Sequence, residues 1–390
     1  MPELSFLPPA AGAEPFTDNR IVHGDNLMAL EALLPEFGAR LRCIYIDPPY
    51  NTGNRFTHYP DDLEHTRWLH FMRERLVLMK DLLAEEGVIF VSIGDEECAY
   101  LKVLMDEIFG RQNFCGTLVW EKKKKPSFLD RNMGSVTEFI LAYARNRQMT
   151  GPFIYGQTTV DKRYPLNNAG NTLGFLHFDA GKVRFGCPDG WYEPQDMSEG
   201  RIVTRLLDRF QVRNGVNMKP FRLEGEWRYS QAKLDAVIQA GESIIISKVP
   251  FRPNHIKPGG EPKKLKNLLD IAHYQMSTYE DATEESRQLF GTAGAFDYPK
   301  PEKLLQVLLG AVTQPGDWIL DAFAGSGTTG AVAHKMGRQW IMIEHGPHCL
   351  THLVPRLRQV AEGQDRGGIG TTLGWQGGGG FRFFQIAQDD

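Results

Sequence analysis

Residues 318–344 have the sequence WILDAFAGSGTTGAVAHKMGRQWIMIE, and this stretch determines the class of fold. Apolar runs at 318–320 and 340–343 predict two buried strands, and residues 327–336 between them predict a helix. The glycines after the first strand allow a ligand to approach the backbone closely, and the helix start offers free N–H groups. The stretch therefore predicts an α/β sheet that binds a ligand at the carboxyl ends of its strands.

The same alternation of strands and helices continues in both ends of the chain. Short apolar runs predict further strands at 41–46, 88–93, 117–120 and 139–144. Apolar residues at helical spacing predict helices at 63–83, 96–109, 301–312 and 347–360. Because strands alternate with helices, we predict a mainly parallel sheet with helices on both faces.

The middle of the chain has a different character. Between 151 and 290, Gly, Pro and aromatic residues become frequent and the alternation fades. We therefore predict one α/β domain made of 1–150 and 291–390, interrupted by an inserted module at 151–290. Residues 162–266 contain 18 Lys and Arg against 11 Asp and Glu, whereas the whole chain has a net charge of −4. A positive segment suits an anionic polymer, although solvated surface charge is the plainer interpretation.

The composition is that of an ordinary globular protein, with 42% hydrophobic and 24% charged residues among 390. No apolar run approaches the roughly 20 residues of a membrane span, and the N-terminus lacks the pattern of a secretion signal. The five cysteines are scattered and form no Cys-x-x-Cys pair, and the histidines show no metal spacing. We expect a cytoplasmic protein with neither a metal site nor a disulfide framework.

A second motif, Asp47-Pro48-Pro49-Tyr50, directly follows the predicted strand at 41–46. Its residue types suit attack by an amino group conjugated to a base ring, whose lone pair is delocalised. The Asp47 carboxylate and the Pro48 carbonyl can each accept one N–H, which leaves the nitrogen lone pair free to attack a methyl group. Both prolines fix φ and hold this geometry stiffly. Tyr50 offers a face for stacking on an extruded base.

The glycine loop by itself leaves two cofactors open. Gly325, Gly327 and Gly330 fit the dinucleotide pattern G-x-G-x-x-G, and Glu344 follows the next predicted strand. A carboxylate there can accept the hydroxyls of an adenosine ribose, as NAD and S-adenosylmethionine both require. An NAD-dependent oxidoreductase therefore remains an alternative, although it gives Asp47–Tyr50 no task. No Lys-Ser or Lys-Thr follows the glycines, which excludes a P-loop.

Several strings together resemble one enzyme family. Asp47–Tyr50 resembles the catalytic tetrapeptide of amino-methyltransferases, and FAGSG at 323–327 resembles their F-x-G-x-G cofactor loop. The tetrapeptide comes first and the cofactor loop last, as in the β class of DNA amino-methyltransferases. The strings VHGDNLMAL (22–30), IDPPYNTGN (46–54) and GGGGFRFF (377–384) resemble the modification (Mod) subunits of Type III restriction systems.

This resemblance implies a seven-stranded, mainly parallel, Rossmann-like methyltransferase sheet and a reaction. A methyl group would pass from S-adenosylmethionine to the 6-amino group of a flipped-out adenine in double-stranded DNA. Asp rather than Ser at the first motif position favours adenine, and the 4-amino group of cytosine is the alternative. The implied catalytic residues are Asp47, Pro48, Pro49 and Tyr50. The implied cofactor-binding residues are Asp25, Lys300, Asp321, Phe323, Gly325, Ser326, Gly327, Thr328, Thr329 and Glu344.

The resemblance also makes the insert at 151–290 a target recognition domain. Arg201, Arg205, Arg209 and Arg213 recur every four residues, which would place them on one face of a helix. The run Lys122, Lys123, Lys124 and Lys125 could neutralise DNA phosphates. In both cases solvated or ion-paired surface charge is the alternative. A homodimer and a restriction subunit are possible partners, and a non-catalytic DNA-binding protein would explain only the basic insert.

Overall fold

The computed structural model describes residues 3–4, 18–53, 61–125, 132–294 and 296–386. Asn54, the last residue of one of the family-like strings, lies outside the described residues. The chain forms two compact units. The first comprises Met1–Tyr155 and Lys264–Asp390, and the second comprises Gly156–Lys263.

The N-terminal part of the first unit alternates strands with helices. Its strands are β1 (Glu3–Leu4), β2 (Asn19–His23), β3 (Leu41–Ile46), β4 (Leu83–Ile93), β5 (Phe114–Glu121) and β6 (Thr137–Ala144). Its helices are α1 (Asn26–Phe37), α2 (His65–Leu82) and α3 (Asp95–Phe109). α1 begins where the Asp25 carboxylate accepts the N–H groups of Leu27 and Met28, because such an N-cap satisfies free donors of the first turn.

The middle of the chain is built mainly from short strands. They are β7 (Ile154–Gln157), β8 (Arg163–Pro165), β9 (Leu173–Phe178), β10 (Val183–Phe185), β11 (Gly190–Tyr192), β12 (Gln195–Asp196), β13 (Thr204–Leu206), β14 (Phe210–Arg213), β15 (Val216–Asn217), β16 (Phe221–Glu226), β17 (Ser243–Ile246), β18 (Asn254–Ile256) and β19 (Pro262–Lys264). The helix α4 covers Gln231–Gln239. Within the second unit, buried Phe178, Phe210, Phe221 and Phe251 pack in a separate hydrophobic core.

The prediction that four arginines share one helix face is wrong. Arg205 lies on β13 and Arg213 on β14, while Arg201 and Arg209 lie in the connections before these strands. Short strands with alternating burial, such as the buried Phe210 and Val212 of β14, suit the period of two in an antiparallel sheet. Four-residue spacing carries no information about a common face once strand ends and turns interrupt it.

The C-terminal part returns to the first unit. Its strands are β20 (Leu268–Leu269), β21 (Trp318–Asp321), β22 (Gln339–Glu344) and β23 (Phe381–Gln385). Its helices are α5 (Ile271–Tyr274), α6 (Tyr279–Phe290), α7 (Glu302–Val312), α8 (Thr328–Lys335), α9 (Val354–Ala361) and α10 (Gly370–Leu373). A π-helical turn at Cys349–Leu353 leads into α9.

The first unit is organised around one mixed sheet. Its described strands follow the order β1-β23-β2-β22-β21-β3-β4-β6-β5-β20. The central strands β2, β22, β21, β3 and β4 are parallel to one another, whereas β6 is antiparallel to β4 and to β5. The α/β class is therefore confirmed. The predicted sheet was seven-stranded and mainly parallel, whereas the described sheet has ten strands and is mixed, with six parallel and three antiparallel pairings. Apolar periodicity reveals buried strands but not their direction.

Helices cover both faces of this sheet. Alternate residues of β3 point to opposite sides, so Cys43 and Tyr45 join one hydrophobic core while Ile44 and Ile46 join the other. The first core includes residues of α7, α8 and α9, and the second includes residues of α1, α2 and α3. The near-continuous apolar sequence of the central strands follows from this burial on two faces.

The insert ends earlier than predicted. Residues 264–290 belong to the first unit, because β20 pairs with β5 and the buried side chains of Leu269, Tyr274 and Met276 join a core of that unit. Among the described residues, no helix is long and apolar enough to span a membrane. The same residues contain no cluster of three or more His, Cys, Asp or Glu side chains suited to a metal ion.

Leu320 offers a test of the central packing. Its side chain is fully buried in the middle strand β21, so we expect Leu320→Ala to lower the free energy of unfolding by about 2–5 kcal/mol. Leu373→Ala is a matched control because that leucine is 43% exposed, and it should change stability by no more than about 0.5 kcal/mol. Urea unfolding measures both, and equal effects would contradict this packing.

Candidate active site

The two sequence motifs meet because β21 lies beside β3. Ile319 pairs with Cys43, and on the other side of β21 Asp321 pairs with Met342. The loops that leave the carboxyl ends of β3, β21 and β22 consequently open into one cavity of about 820 Å³. Its lining includes Asp47, Tyr50, Lys300, Phe323, Gly325 and Glu344. The cavity lies where open α/β sheets bind their ligands.

The Asp47 carboxylate forms an ion pair with Lys300. The Lys300 Nζ atom lies 2.8 Å from Asp47 Oδ1 and 2.9 Å from Oδ2. Burial raises the pKa of Asp47, and although Lys300 opposes that shift, the pKa remains above its ordinary value. Lys300 thus contacts the catalytic motif, whereas the sequence assigned it only to the cofactor pocket.

Two further residues complete this polar cluster, and the sequence did not single them out. The Tyr50 hydroxyl donates to Glu138 Oε2 at 3.1 Å, and the Tyr279 hydroxyl donates to the same carboxylate at 2.9 Å. Lys122 Nζ lies 3.2 Å from Glu138 Oε1. Glu138 lies on β6 but one residue before the predicted strand at 139–144, so a charged residue next to a buried strand was the available signal. Tyr279 lies at the start of α6, and the sequence around it carries no signal of a role in the site.

The turn after Tyr50 is fixed by buried groups. The Asp61 carboxylate accepts the N–H groups of Asn51 at 2.7 Å and Thr52 at 3.0 Å. The Trp68 indole N–H donates to the Pro49 carbonyl at 2.8 Å. These contacts hold the Pro49 carbonyl and the two residues after Tyr50, and they thereby limit the positions open to Tyr50.

The glycine loop is closed by Asp321. Its carboxylate accepts the Phe323 N–H at 2.9 Å and the Thr329 hydroxyl at 2.5 Å, which ties the two ends of the loop together. Burial raises the pKa of Asp321 to about 7. Gly325 and Gly327 have φ angles of 53° and 83°, a region that disfavours residues with a Cβ atom. The loop conformation thus requires glycine at both positions.

A buried network supports the loop from behind. Arg356 Nη1 donates to the Thr328 hydroxyl at 2.8 Å, and Arg356 Nη2 donates to Glu302 at 3.0 Å. Lys335 Nζ also donates to Glu302, at 2.9 Å. The Ser326 hydroxyl lies 3.3 Å from the Thr328 hydroxyl. Ser326 and Thr328 line the cavity, so the network fixes the hydroxyl groups that face it.

Glu344, at the end of β22, is held in a defined orientation. Its Oε2 atom accepts the Gly325 N–H at 2.8 Å, and its Oε1 atom accepts the Gly346 N–H at 2.9 Å. His348 Nε2 lies 3.0 Å from Oε1. Burial acts to raise the pKa of Glu344, but His348 and the two N–H groups keep it below the ordinary value. A buried, ionised carboxylate therefore lines the cavity.

Asp25 and Phe323 also line the cavity. Besides capping α1, Asp25 lies 3.3 Å from Arg75 Nη2, so it has the structural role of ordering this loop. The Phe323 ring meets the Phe71 ring edge-on, with centroids 6.0 Å apart. An aromatic side chain, an ionised carboxylate and a glycine loop in one cavity are groups that fit an adenosyl cofactor.

Within the part of the chain that the structure describes, some of the lysines and arginines predicted to contact DNA form ion pairs. Lys122 is bound to Glu138, and Lys124 lies 2.9 Å from Asp281. Lys122 and Lys123 line the cavity, and Lys125 is exposed. In the second unit, Arg205 pairs with Asp196 and Glu224, and Arg209 pairs with Glu193. Four of these eight cations thus already have a carboxylate partner.

Comparison with known proteins finds several relatives of this chain. The chain is 31% identical over 425 aligned residues to the probable type III restriction-modification enzyme HindVI Mod subunit of Haemophilus influenzae, covering 95% of this chain and 54% of the relative. It is 27% identical over 338 residues to the Type II methyltransferase M.EcaI of Enterobacter cloacae, covering 84% and 66%. It is 37% identical over 327 residues to the DNA adenine methyltransferase YhdJ of Escherichia coli, covering 83% and 77%.

The chain spans roughly half to two thirds of the length of the first two relatives. Residues 41–354 match the family model described as DNA methylase. This match includes both the Asp47–Tyr50 motif and the glycine loop, which confirms the resemblance inferred from the motifs and argues against an NAD-dependent oxidoreductase. The chain belongs to the DNA methylase family.

Proposed function

We propose that the protein transfers a methyl group from S-adenosylmethionine to the 6-amino group of adenine in double-stranded DNA. The observation that carries this proposal is the meeting of Asp47–Tyr50 with the glycine loop and Glu344 in one cavity. An amine-binding carboxylate and a cofactor-binding loop are the two parts that such a transfer needs. A relative at 37% identity carries the name DNA adenine methyltransferase, which favours adenine over cytosine.

The residues around the glycine loop would hold the cofactor. Glu344 would accept hydroxyl groups of the ribose, Phe323 would pack against the adenosyl part, and Gly325 and Gly327 would let the backbone approach it. When bound, S-adenosylmethionine supplies a methyl group activated by a sulfonium centre. The Ser326 and Thr328 hydroxyls face the same cavity and would hold its polar end.

Asp47, Pro48 and Tyr50 would act on the base. Tyr50 would stack on the extruded ring, while Asp47 and the Pro48 carbonyl would each accept one N–H of its amino group. The nitrogen lone pair is then directed at the methyl carbon. Asp47 would accept the proton that the nitrogen loses when it receives the methyl group, which the sulfonium sulfur of the cofactor would release. Catalysis rests mainly on orientation, since reacting atoms must approach to about 3–3.5 Å.

We propose that the second unit, Gly156–Lys263, selects the DNA sequence. Both motifs with a chemical task lie in the first unit, and the second unit has its own core and a surplus of basic residues. The relatives that are called Mod subunits make a restriction subunit a possible partner, and a homodimer is a further possibility.

Cytosine methylation at the 4-amino group would use the same cavity, and mass spectrometry of methylated nucleosides distinguishes the two products.

Substituting Asp47 tests the assignment of the amine site. We expect Asp47→Ala to reduce methyl transfer by far more than tenfold, because the amine loses its acceptor, while cofactor affinity changes little. Turnover with tritiated cofactor and binding by calorimetry measure the two effects. Exposed Asp81 provides the control Asp81→Ala. A loss of less than tenfold, about 1.4 kcal/mol of transition-state stabilisation, would contradict the role of Asp47.

Glu344 tests the assignment of the cofactor site. Hydrogen bonds from hydroxyl groups to a charged carboxylate contribute about 1.5–3 kcal/mol each, so Glu344→Ala should weaken S-adenosylmethionine binding at least tenfold in calorimetry. Glu362 is exposed at the end of α9, and Glu362→Ala should bind like the wild type. Unchanged affinity in Glu344→Ala would exclude this role.

A chimera tests the recognition role of the second unit. Replacing residues 156–263 by the equivalent segment of a relative with a different target should move methylation to that relative's site, as mapped by methylation-sensitive sequencing. Substituting a cation that contacts a base should relax specificity at one position by about 1–3 kcal/mol, and substituting a phosphate contact should flatten the salt dependence. An active chimera that still modifies the original site would place recognition in the first unit.

A further inference from the structure

The Lys300 ammonium lies in the part of the cavity that, under the proposed function, receives the target amine. Four oxygen atoms lie within 3.0 Å of Nζ: both carboxylate oxygens of Asp47, the Tyr50 hydroxyl and the Tyr279 hydroxyl. Glu138 Oε2 is 3.6 Å away. An ammonium group has three N–H donors, so its donors are fully used by this cluster.

Aromatic rings surround the same atom. Nζ lies 5.0 Å from the ring centroid of Tyr50, 5.2 Å from that of Tyr279 and 5.8 Å from that of Trp120. These distances fall within the range of cation–π attraction. The lysine side chain is only 6% exposed. The site is thus built to hold a positively charged or hydrogen-bond-donating nitrogen between aromatic faces.

The target amine makes the same demands as this ammonium. It is a nitrogen donor, it must contact Asp47, and it is attached to a ring that stacks on Tyr50. Both oxygens of Asp47 are already engaged by Lys300. A base therefore enters only if Nζ gives up at least one contact with Asp47. Tyr279 and Glu138 also offer acceptors to Nζ, so the flexible side chain can release Asp47 and still stay within the cluster.

The charged groups around Asp47 favour a Lys300 ammonium that moves off the carboxylate but remains close to it. Asp47 is faced by charged or titratable groups from β3, β6, β21, α6 and the segment before α7, namely Tyr45, Tyr50, Glu138, Asp321, Tyr279 and Lys300. Lys300 is the cation in this set. Burial lowers the pKa of Lys300, but Asp47 and Glu138 hold it above the ordinary value. The side chain is consequently charged, and its charge opposes protonation of Asp47.

We propose that Lys300 is a positioning residue with two tasks: its ammonium occupies the place of the target amine when DNA is absent, and it keeps Asp47 ionised when the base is bound. This inference rests on the proposed function. It gives Lys300 a task toward the reacting nitrogen that differs from closing the cofactor pocket.

The second task is tested by the pH dependence of turnover. Without Lys300 the pKa of Asp47 rises, and because the reaction needs the carboxylate, activity should be lost at a higher pH. We expect Lys300→Met to move the acid limb of kcat upward by about one to three pH units. Lys300→Gln should do the same, and it serves if Lys300→Met folds poorly. Lys303→Met, three residues away on α7, is the matched control.

The first task is tested by adding a small cation to a variant that lacks the Lys300 side chain. Lys300→Ala leaves room for a small cation, so ethylammonium chloride should raise its thermal midpoint above that in sodium chloride of equal ionic strength. Wild-type protein should show no such difference. Equal responses of the two proteins, or an acid limb that stays in place in Lys300→Met and Lys300→Gln, would overturn the inference. Wild-type protein that methylates no DNA would instead contradict the proposed function. The ethylammonium experiment would still test whether the Lys300 ammonium fills a cation site in the cavity.

Discussion

The parallel pairing of β21 with both β3 and β22 is the constraint on which the rest of the structure depends. It sets three strand ends side by side, and each end supplies one part of the cavity: Asp47 after β3, the glycine loop after β21 and Glu344 at the end of β22. The residues that would act on the amine and those that would hold the cofactor are far apart in the chain. Hydrogen bonds between neighbouring strands bring them together.

The site is further stabilised by hydrogen bonds from buried side chains, some of which, such as Asp61 and Asp321, also line the cavity. Trp68 fixes Pro49, Asp61 fixes the turn after Tyr50, and Asp321 closes the glycine loop. Buried donors and acceptors without partners would be costly, so each of these contacts limits the positions that the loops adopt. The loops of the cavity are therefore preorganised by hydrogen bonds among its own lining residues and the side chains packed beside them.

The sequence predicted the parts of the structure that rest on local patterns. Buried strands, amphipathic helices, the glycine loop and Asp47–Tyr50 all have signatures within a few residues. It did not predict that β6 runs antiparallel to its neighbours, because both directions bury the same side chains. The arginine series was misinterpreted for a related reason, since spacing alone does not distinguish a helix from strand ends. Glu138 and Tyr279 were missed because their roles arise only where β6 and α6 meet the loop after β3.

The place of β21 in the sheet also has a consequence for synthesis of the chain. β3 pairs with β4 on one side soon after both leave the ribosome, but its other edge waits for β21, which follows the whole of the second unit. Until then the apolar strand keeps a row of free N–H and C=O groups, which is a hazard for aggregation. The second unit has its own core and can fold during this interval. The nascent chain therefore carries a folded module and an unfinished sheet at the same time, and the amine site and the cofactor site form together only after the second unit has been synthesised.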